Sequence, residues 1–194
     1  SDRFLAKAPT TKADFSFLDL EDAVAPNEKV AARAKVVNAI RTLDWDERVL
    51  CVRVNAWDTV WTYGDVIEVV GNAGPRLDEI MMPKVQSAAE VVAMDLLLTQ
   101  VEKNSGLPVG HIGLECQIET AQGLINVEEI CAASPRIESI VFGPADFAAG
   151  AQAARAGPRS RPHQCDLGAT SLPASAAAAT SAPGRSPTGT GRTG

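Results

Sequence analysis

Two carboxylates stand where chemistry could begin. Glu119 ends the run Ile112-Gly-Leu-Glu-Cys-Gln-Ile-Glu119, just before Thr120-Ala-Gln-Gly123. Asp146 follows Ile137-Glu-Ser-Ile-Val-Phe142 across the small-residue turn Gly143-Pro-Ala. Each acid therefore lies where a buried apolar strand runs out. One helical stretch separates them, so the local order is strand, helix, strand. That order predicts parallel neighbours about 4.8 Å apart, with both carboxylates on the same rim. Two hard oxygen ligands converging there suit a divalent cation such as Mg²⁺, which keeps waters or substrate oxygens in its other positions. The alternative on spacing alone is a pair of strand-end acids that only cap helices.

The elements that must position these acids alternate. Asp14 to Glu21 reads as a strand with acids at its end. Pro26 opens a helix that carries apolar residues at helical spacing through Leu43. Arg48 to Val54 is the next strand, Tyr63 to Val70 a helix, and Leu77 to Met82 a strand that stops at Pro83. Ser87 with Glu90 three residues on has the capping-box pattern, opening a helix that runs to about Lys103. The strand to Glu119, a helix over 121–133 and the strand from Ile137 complete the series. Arg3 to Ala8 reads as the end of an earlier helix or a loop.

Five strands separated by helices predict a parallel sheet in the α/β class. Polar and ionic residues gather after each strand: Glu21 and Asp22, Arg53 and Asn55, Lys84, Glu119, Asp146. No Gly-x-Gly-x-x-Gly follows any strand, which removes the usual argument for a dinucleotide fold. A functional rim at so many strand ends favours a (β/α)₈ barrel over an open doubly wound sheet.

Composition narrows the class further. The chain has 194 residues, 45% hydrophobic side chains and a net charge of −6. The acidic balance argues against a nucleic-acid partner, and no run of 18 apolar residues suggests a membrane span. The opening Ser1-Asp-Arg-Phe-Leu lacks the basic-then-apolar pattern of a signal peptide. Cys51, Cys116, Cys131 and Cys165 show no Cys-x-x-Cys spacing. Reduced thiols and a cytoplasmic setting are expected.

Charge and composition break together near Gly150. Residues 1–150 hold 13 basic and 23 acidic side chains; residues 151–194 hold five arginines and one acid, Asp166. The second segment contains no Val, Ile, Phe, Trp or Tyr. It cannot bury enough apolar area to offset its ordering entropy, so a disordered tail is expected there. The domain reading is thus a partial barrel over 1–150 and a low-complexity tail over 151–194.

Five segments occur in a telling order: Asp19-Leu-Glu-Asp-Ala-Val-Ala-Pro26, Val52-Arg-Val-Asn55, Met82-Pro-Lys-Val85, Gln117-Ile-Glu-Thr-Ala-Gln-Gly123 and Phe142-Gly-Pro-Ala-Asp-Phe147. Together they resemble the citrate lyase beta-subunit-like branch of the HpcH/HpaI aldolase family, and look most like its malyl-CoA and β-methylmalyl-CoA lyases. The resemblance covers residues 1 to about 150. It implies a TIM-barrel, Mg²⁺-dependent carbon–carbon lyase acting on a CoA ester and a keto acid, assembled as a trimer or hexamer. Glu119 and Asp146 would be the metal ligands and Arg53 would pair with the keto-acid carboxylate, these three being the implied catalytic residues. The backbone around Ala145 would meet substrate. Glu21 and Asp22 would hold metal-bound waters, and Lys7 would reach a CoA phosphate.

Some roles stay open at this stage. Arg53 also fits a structural pair with Glu21 or Asp22. Lys84 fits either a substrate contact or a rim ion pair and is not assigned. His111 precedes a strand, the wrong rim for chemistry, and His163 lies in the tail. Trp57 and Trp61 are expected to pack. The family pattern extends beyond both ends of the barrel portion, so an open barrel of about five βα units is expected, with two free sheet edges. The alternatives in function are an aldolase acting on free 2-keto acids and a non-catalytic remnant of the lyase.

Overall fold

The computed structural model describes residue 5 and residues 7–155 of the chain. Five strands, β1 (Phe15–Asp19), β2 (Val49–Arg53), β3 (Glu79–Met82), β4 (Gly113–Ile118) and β5 (Ile137–Phe142), form a single sheet in the order 1-2-3-4-5. Every neighbouring pair is parallel. Between them run α1 (Lys29–Thr42), α2 (Thr62–Ala73), α3 (Ala88–Ser105), α4 (Ala121–Ile125) and α5 (Val127–Cys131); α6 (Pro144–Arg155) follows β5.

The strand order decides between the two α/β architectures. A doubly wound sheet reverses direction at a switch point. Here each strand joins the far side of the last one, and right-handed crossovers then place every helix on the same face. This is five consecutive βα units of a (β/α)₈ barrel, with β1 and β5 at the edges of the sheet among the described residues.

Side-chain alternation agrees. Leu18, Leu50, Val52, Ile80, Met82, Leu114, Cys116 and Ile118 point into the layer under the helices and are buried. They meet Val36 and Ile40 of α1, Val66, Val69 and Val70 of α2, and Val91, Met94 and Leu98 of α3. The opposite parity, including Phe17, Cys51, Arg53, Glu79, Met81, Glu115 and Gln117, lines the concave side. Phe15 and Phe17 are 37% and 49% exposed there, with no strand facing them among the described residues.

Several local features differ from the sequence reading. Ser87 occupies the N-cap of α3, but its hydroxyl makes no cap hydrogen bond. Glu90 instead accepts the N–H of Gln86, one residue before the N-cap, at 2.8 Å, so neither half of the reciprocal box forms. The helix expected over 121–133 breaks at Asn126 into α4 and α5. Asn126 donates its side-chain amide to the Gln86 carbonyl at 2.8 Å, pinning the break to the loop before α3. α6 continues to Arg155, taking in the first five residues of the expected tail, because Ala151, Ala153 and Ala154 sustain a helix. The expected disorder of the remaining tail, with His163 and Cys165, lies outside the described residues.

A buried ionic knot ties the bottom of the sheet. Arg136, at the foot of β5, donates to Asp95, Thr99 and Glu102 of α3 and to the Ile112 carbonyl. Glu102 in turn accepts the Gly110 and Ile112 N–H groups. One guanidinium serves two carboxylates, and the two backbone donors to Glu102 supply the rest, which is what makes the burial tolerable. His111 also lies at this lower end, its ring nitrogen 2.9 Å from the Gly74 carbonyl.

Candidate active site

The upper rim collects the acids. Glu119 follows β4 and is 2% exposed; Asp146 stands in the first turn of α6. The two carboxyl groups approach within hydrogen-bonding reach. Glu119 Oε1 accepts the Lys84 N–H at 2.9 Å. Its Oε2 is buried and has no donor. Burial, followed by the Asp146 carboxyl beside it, pushes the Glu119 acid up to about 7.

Glycine makes this approach possible. A Cβ at Gly143 would lie 2.6 Å from Glu119 Oε2 and 2.7 Å from its Cβ. A Cβ at Gly123 would lie 2.2 Å from the Val85 carbonyl oxygen. The first keeps room for the Glu119 carboxylate, and the second seats α4 against the end of β3. Thr120 caps α4 by accepting the Gly123 N–H at 3.0 Å, which fixes the chain directly after Glu119.

This donor set fits a hard divalent cation. Two acceptors face each other, one carries an oxygen without a donor, and neither can supply a hydrogen bond while ionised. A shared proton or a cation resolves that conflict. Mg²⁺ matches the all-oxygen chemistry.

Beside the pair, Arg53 is held on one edge. Its Nε and Nη2 donate to Asp19 Oδ1 and Oδ2 at 2.8 and 2.6 Å. Asp19 also accepts the Glu21 and Ala23 N–H groups at 2.8 and 3.0 Å. Burial works to lower the Arg53 pKa, but the Asp19 pair overrides it and raises it. Burial likewise opposes ionisation of Asp19, and the Arg53 bond and backbone donors override it and lower its pKa. Arg53 Nη1 faces Glu21 at 3.3 Å and Asp22 at 3.9 Å. Both structural partners named from the sequence are therefore present, but the tightest partner is Asp19, which that reading left out. The signal was available: Asp19 precedes Glu21 by two residues and so shares its inward parity.

Glu21 is buried and Asp22 exposed. Lys84 Nζ donates to Glu21 Oε1 at 2.5 Å and lies 3.8 Å from Asp22. Burial raises the Glu21 pKa despite the pull of Lys84. Asn55 turns away from the rim, giving its side-chain amide and its backbone N–H to Asp65. Trp57 Nε1 donates to the Glu90 carbonyl at 3.2 Å, and Lys29 Nζ sits 5.5 Å from the Trp61 ring centre, so both tryptophans pack as expected.

Lys7 is exposed and lies on a groove of about 770 Å³ along the edge of β1 that also reaches Asp19 and is shared with Leu18, Ala23 and Lys35. Ala145 is exposed in the first turn of α6.

Below the rim lies a second polar layer. The ligand atoms of Cys51, Glu79 and Glu115 fall within 4.8 Å of one another on the concave side. Burial raises the acid pKa of both Glu79 and Glu115. Sequence reasoning passed over this layer because Cys51 and Glu115 sit inside runs that otherwise read as apolar strand.

The family profile described as HpcH/HpaI aldolase/citrate lyase matches residues 1–165. The chain belongs to this family. An HpcH/HpaI relative, the L-malyl-CoA/beta-methylmalyl-CoA lyase of Cereibacter sphaeroides, is 48% identical over 143 residues, which is 74% of this chain and 45% of the relative. The citrate lyase subunit beta of Leuconostoc mesenteroides subsp. cremoris is 39% identical over 135 residues, 70% of this chain and 44% of the relative. The chain thus spans less than half the length of these HpcH/HpaI relatives. Among solved structures, RipC from Yersinia pestis superposes with a TM-score of 0.58 at 31% identity, covering 74% of this chain and 58% of that one. The magnesium/glyoxylate complex of Haloferax volcanii malate synthase superposes with a TM-score of 0.68 at 19% identity, covering 77% and 49%, a likeness of fold. No helix among the described residues is long and apolar enough to cross a membrane.

Proposed function

We propose that this chain carries the metal-holding part of a carbon–carbon lyase site that cleaves or forms a β-hydroxyacyl-CoA of the malyl-CoA type. The observation that carries this reading is the convergence of Glu119 and Asp146, with Glu119 Oε2 buried and without a donor. The names of the lyase relatives support the substrate class.

Glu119 and Asp146 would hold the Mg²⁺, and Glu21 and Asp22 lie at the rim where its waters would sit. When bound, the ion supplies Lewis-acid polarisation of substrate oxygens. The chain's own groups do the rest. Asp19 fixes the inner edge of Arg53, and its Nη1 side, which it shares with Glu21 and Asp22, would meet the keto-acid carboxylate. A planar fork held this way is pre-organised for a carboxylate. Ala145 lies in the first turn of α6, where N–H groups have no partner within the helix and can meet a substrate oxygen. Lys7 would reach a CoA phosphate from the β1 edge.

In the cleavage direction, the bond between the hydroxyl-bearing carbon and the thioester α-carbon breaks. Its electron pair passes to the α-carbon as the acyl-CoA enolate, which then takes up a proton. The hydroxyl loses its proton and its carbon becomes the carbonyl of a glyoxylate-like product. Positioning of both fragments by Arg53 and the rim lowers the entropic part of the barrier. No nucleic acid or membrane enters this scheme. A cytoplasmic setting, a trimeric or hexameric assembly in complete relatives, and a domain boundary near residue 150 belong to the same proposal.

A second reading is a non-catalytic remnant that binds metal. The experiment is Mg²⁺-dependent release of glyoxylate from malyl-CoA by the purified 194-residue chain, trapped as a phenylhydrazone. Turnover abolished by Asp146→Ala supports the lyase. Metal binding without turnover supports the remnant.

A further inference from the structure

We infer that Lys84 is a positioning residue for the rim carboxylates, reaching Glu119 through its backbone and Glu21 through its side chain. This rests on the metal reading of Glu119 and Asp146 and extends it to a residue outside the ligand set.

Three observations converge on Lys84. Its backbone has φ 54°, a left-handed conformation that a lysine seldom adopts. That turn aims its N–H at Glu119 Oε1, at 2.9 Å. Its ammonium meets Glu21 Oε1 at 2.5 Å. With the first oxygen of each acid engaged, the second oxygen of each, Glu119 Oε2 and Glu21 Oε2, is left buried without a hydrogen bond.

Lys84 therefore completes a chain of alternating charge across four successive strand ends: Asp19, Arg53, Glu21, Lys84, Glu119. Left-handed, non-glycine backbone of this kind persists where the surroundings over-determine it, and it gathers at functional sites. A flexible surface lysine would need neither the turn nor two buried acceptors.

Charge and position make opposite forecasts here. Deleting a cation beside a metal site should tighten metal binding if charge alone matters. Losing a positioning group should weaken it. The test compares Mn²⁺ binding, followed by electron paramagnetic resonance of the free ion, in the 194-residue chain and its Lys84→Ala, Lys84→Gly and Lys84→Arg variants. Glycine relaxes the left-handed backbone and keeps the N–H, so it serves if alanine fails to fold. The expected result is binding at least tenfold weaker in Lys84→Ala and Lys84→Gly, and within about threefold of the parent in Lys84→Arg.

In parallel, the side-chain carboxyl ¹³C resonances of Glu21 and Glu119 are recorded without metal. Both should move in Lys84→Ala and return in Lys84→Arg. Unchanged or tighter Mn²⁺ binding in Lys84→Ala overturns the proposal, as do unmoved carboxyl resonances. Should the parent chain bind no Mn²⁺, the metal reading falls by itself, and the carboxyl resonances still decide the role of Lys84.

Discussion

Replacing Glu119 with Gln should stabilise the metal-free protein at pH 8. In the folded chain this acid sits at about 7, against an ordinary value of 4.5. A group whose folded pKa is raised stabilises the fold fully below its unfolded value, and that contribution is lost as pH climbs through the folded value. The window here runs from about 4.5 to 7. Forcing the charge onto Glu119 at pH 8 costs roughly 3 kcal/mol, and at pH 5 less than about 1 kcal/mol. Gln keeps an oxygen for the Lys84 N–H and brings an amide donor to Asp146, which turns a clash of acceptors into a hydrogen bond. The expected gain is about 2–3 kcal/mol at pH 8 and near zero at pH 5. In a domain of this size that is roughly 5–10 °C in unfolding midpoint. Urea unfolding followed by tryptophan fluorescence, with Trp45 buried as the reporter, reads the difference directly. Comparing the parent and variant at each pH cancels the other raised acids, Glu21, Glu79 and Glu115. A Glu119→Gln chain less stable than the parent at pH 8, or a gain equal at both pH values, would refute the reasoning.

Other consequences can be checked in the same preparation. Gly143→Ala should weaken Mn²⁺ binding at least tenfold, since its Cβ would press within 2.6 Å of Glu119 Oε2; titration calorimetry measures it. Asp19→Asn should cost about 1–3 kcal/mol at pH 7 by breaking the paired bonds to Arg53. Because the Asp19 pKa is lowered, that loss should fade as pH falls below 3.8, as a pH series of urea midpoints would reveal. Arg136→Met should cost about 3–5 kcal/mol by leaving Glu102 buried without its cation, again read by urea unfolding. Iodoacetamide under native conditions should label exposed Cys131 and spare buried Cys51 and Cys116, with mass spectrometry of peptides as the readout.

The barrel fragment was legible because its signals are local. Each strand is a short apolar run, and each ends in a polar residue that no buried strand would carry for packing alone. Parallel pairing then follows from chain order. The rim partnership of Glu119 with Asp146 was readable for the same reason. Other features depend on contacts that spacing does not encode. Asp19 is one: its four hydrogen bonds come from Arg53, Glu21 and Ala23, and the partner 34 residues away is known only once β1 and β2 pair. Lys84 is another, since a left-handed turn after Pro83 leaves no mark in composition. Ser87 failed as a capping hydroxyl because Glu90 reached Gln86 instead. The Cys51–Glu79–Glu115 layer was hidden by the parity of its own strands.

The central claim is that Glu119 and Asp146 share one divalent cation. Titrating Mn²⁺ into the 194-residue chain, with Glu119→Gln and Asp146→Asn alongside, tests it most directly. One ion bound per chain, and lost in either variant, is the expected result. Binding that survives both substitutions, or no binding by the parent, would contradict it.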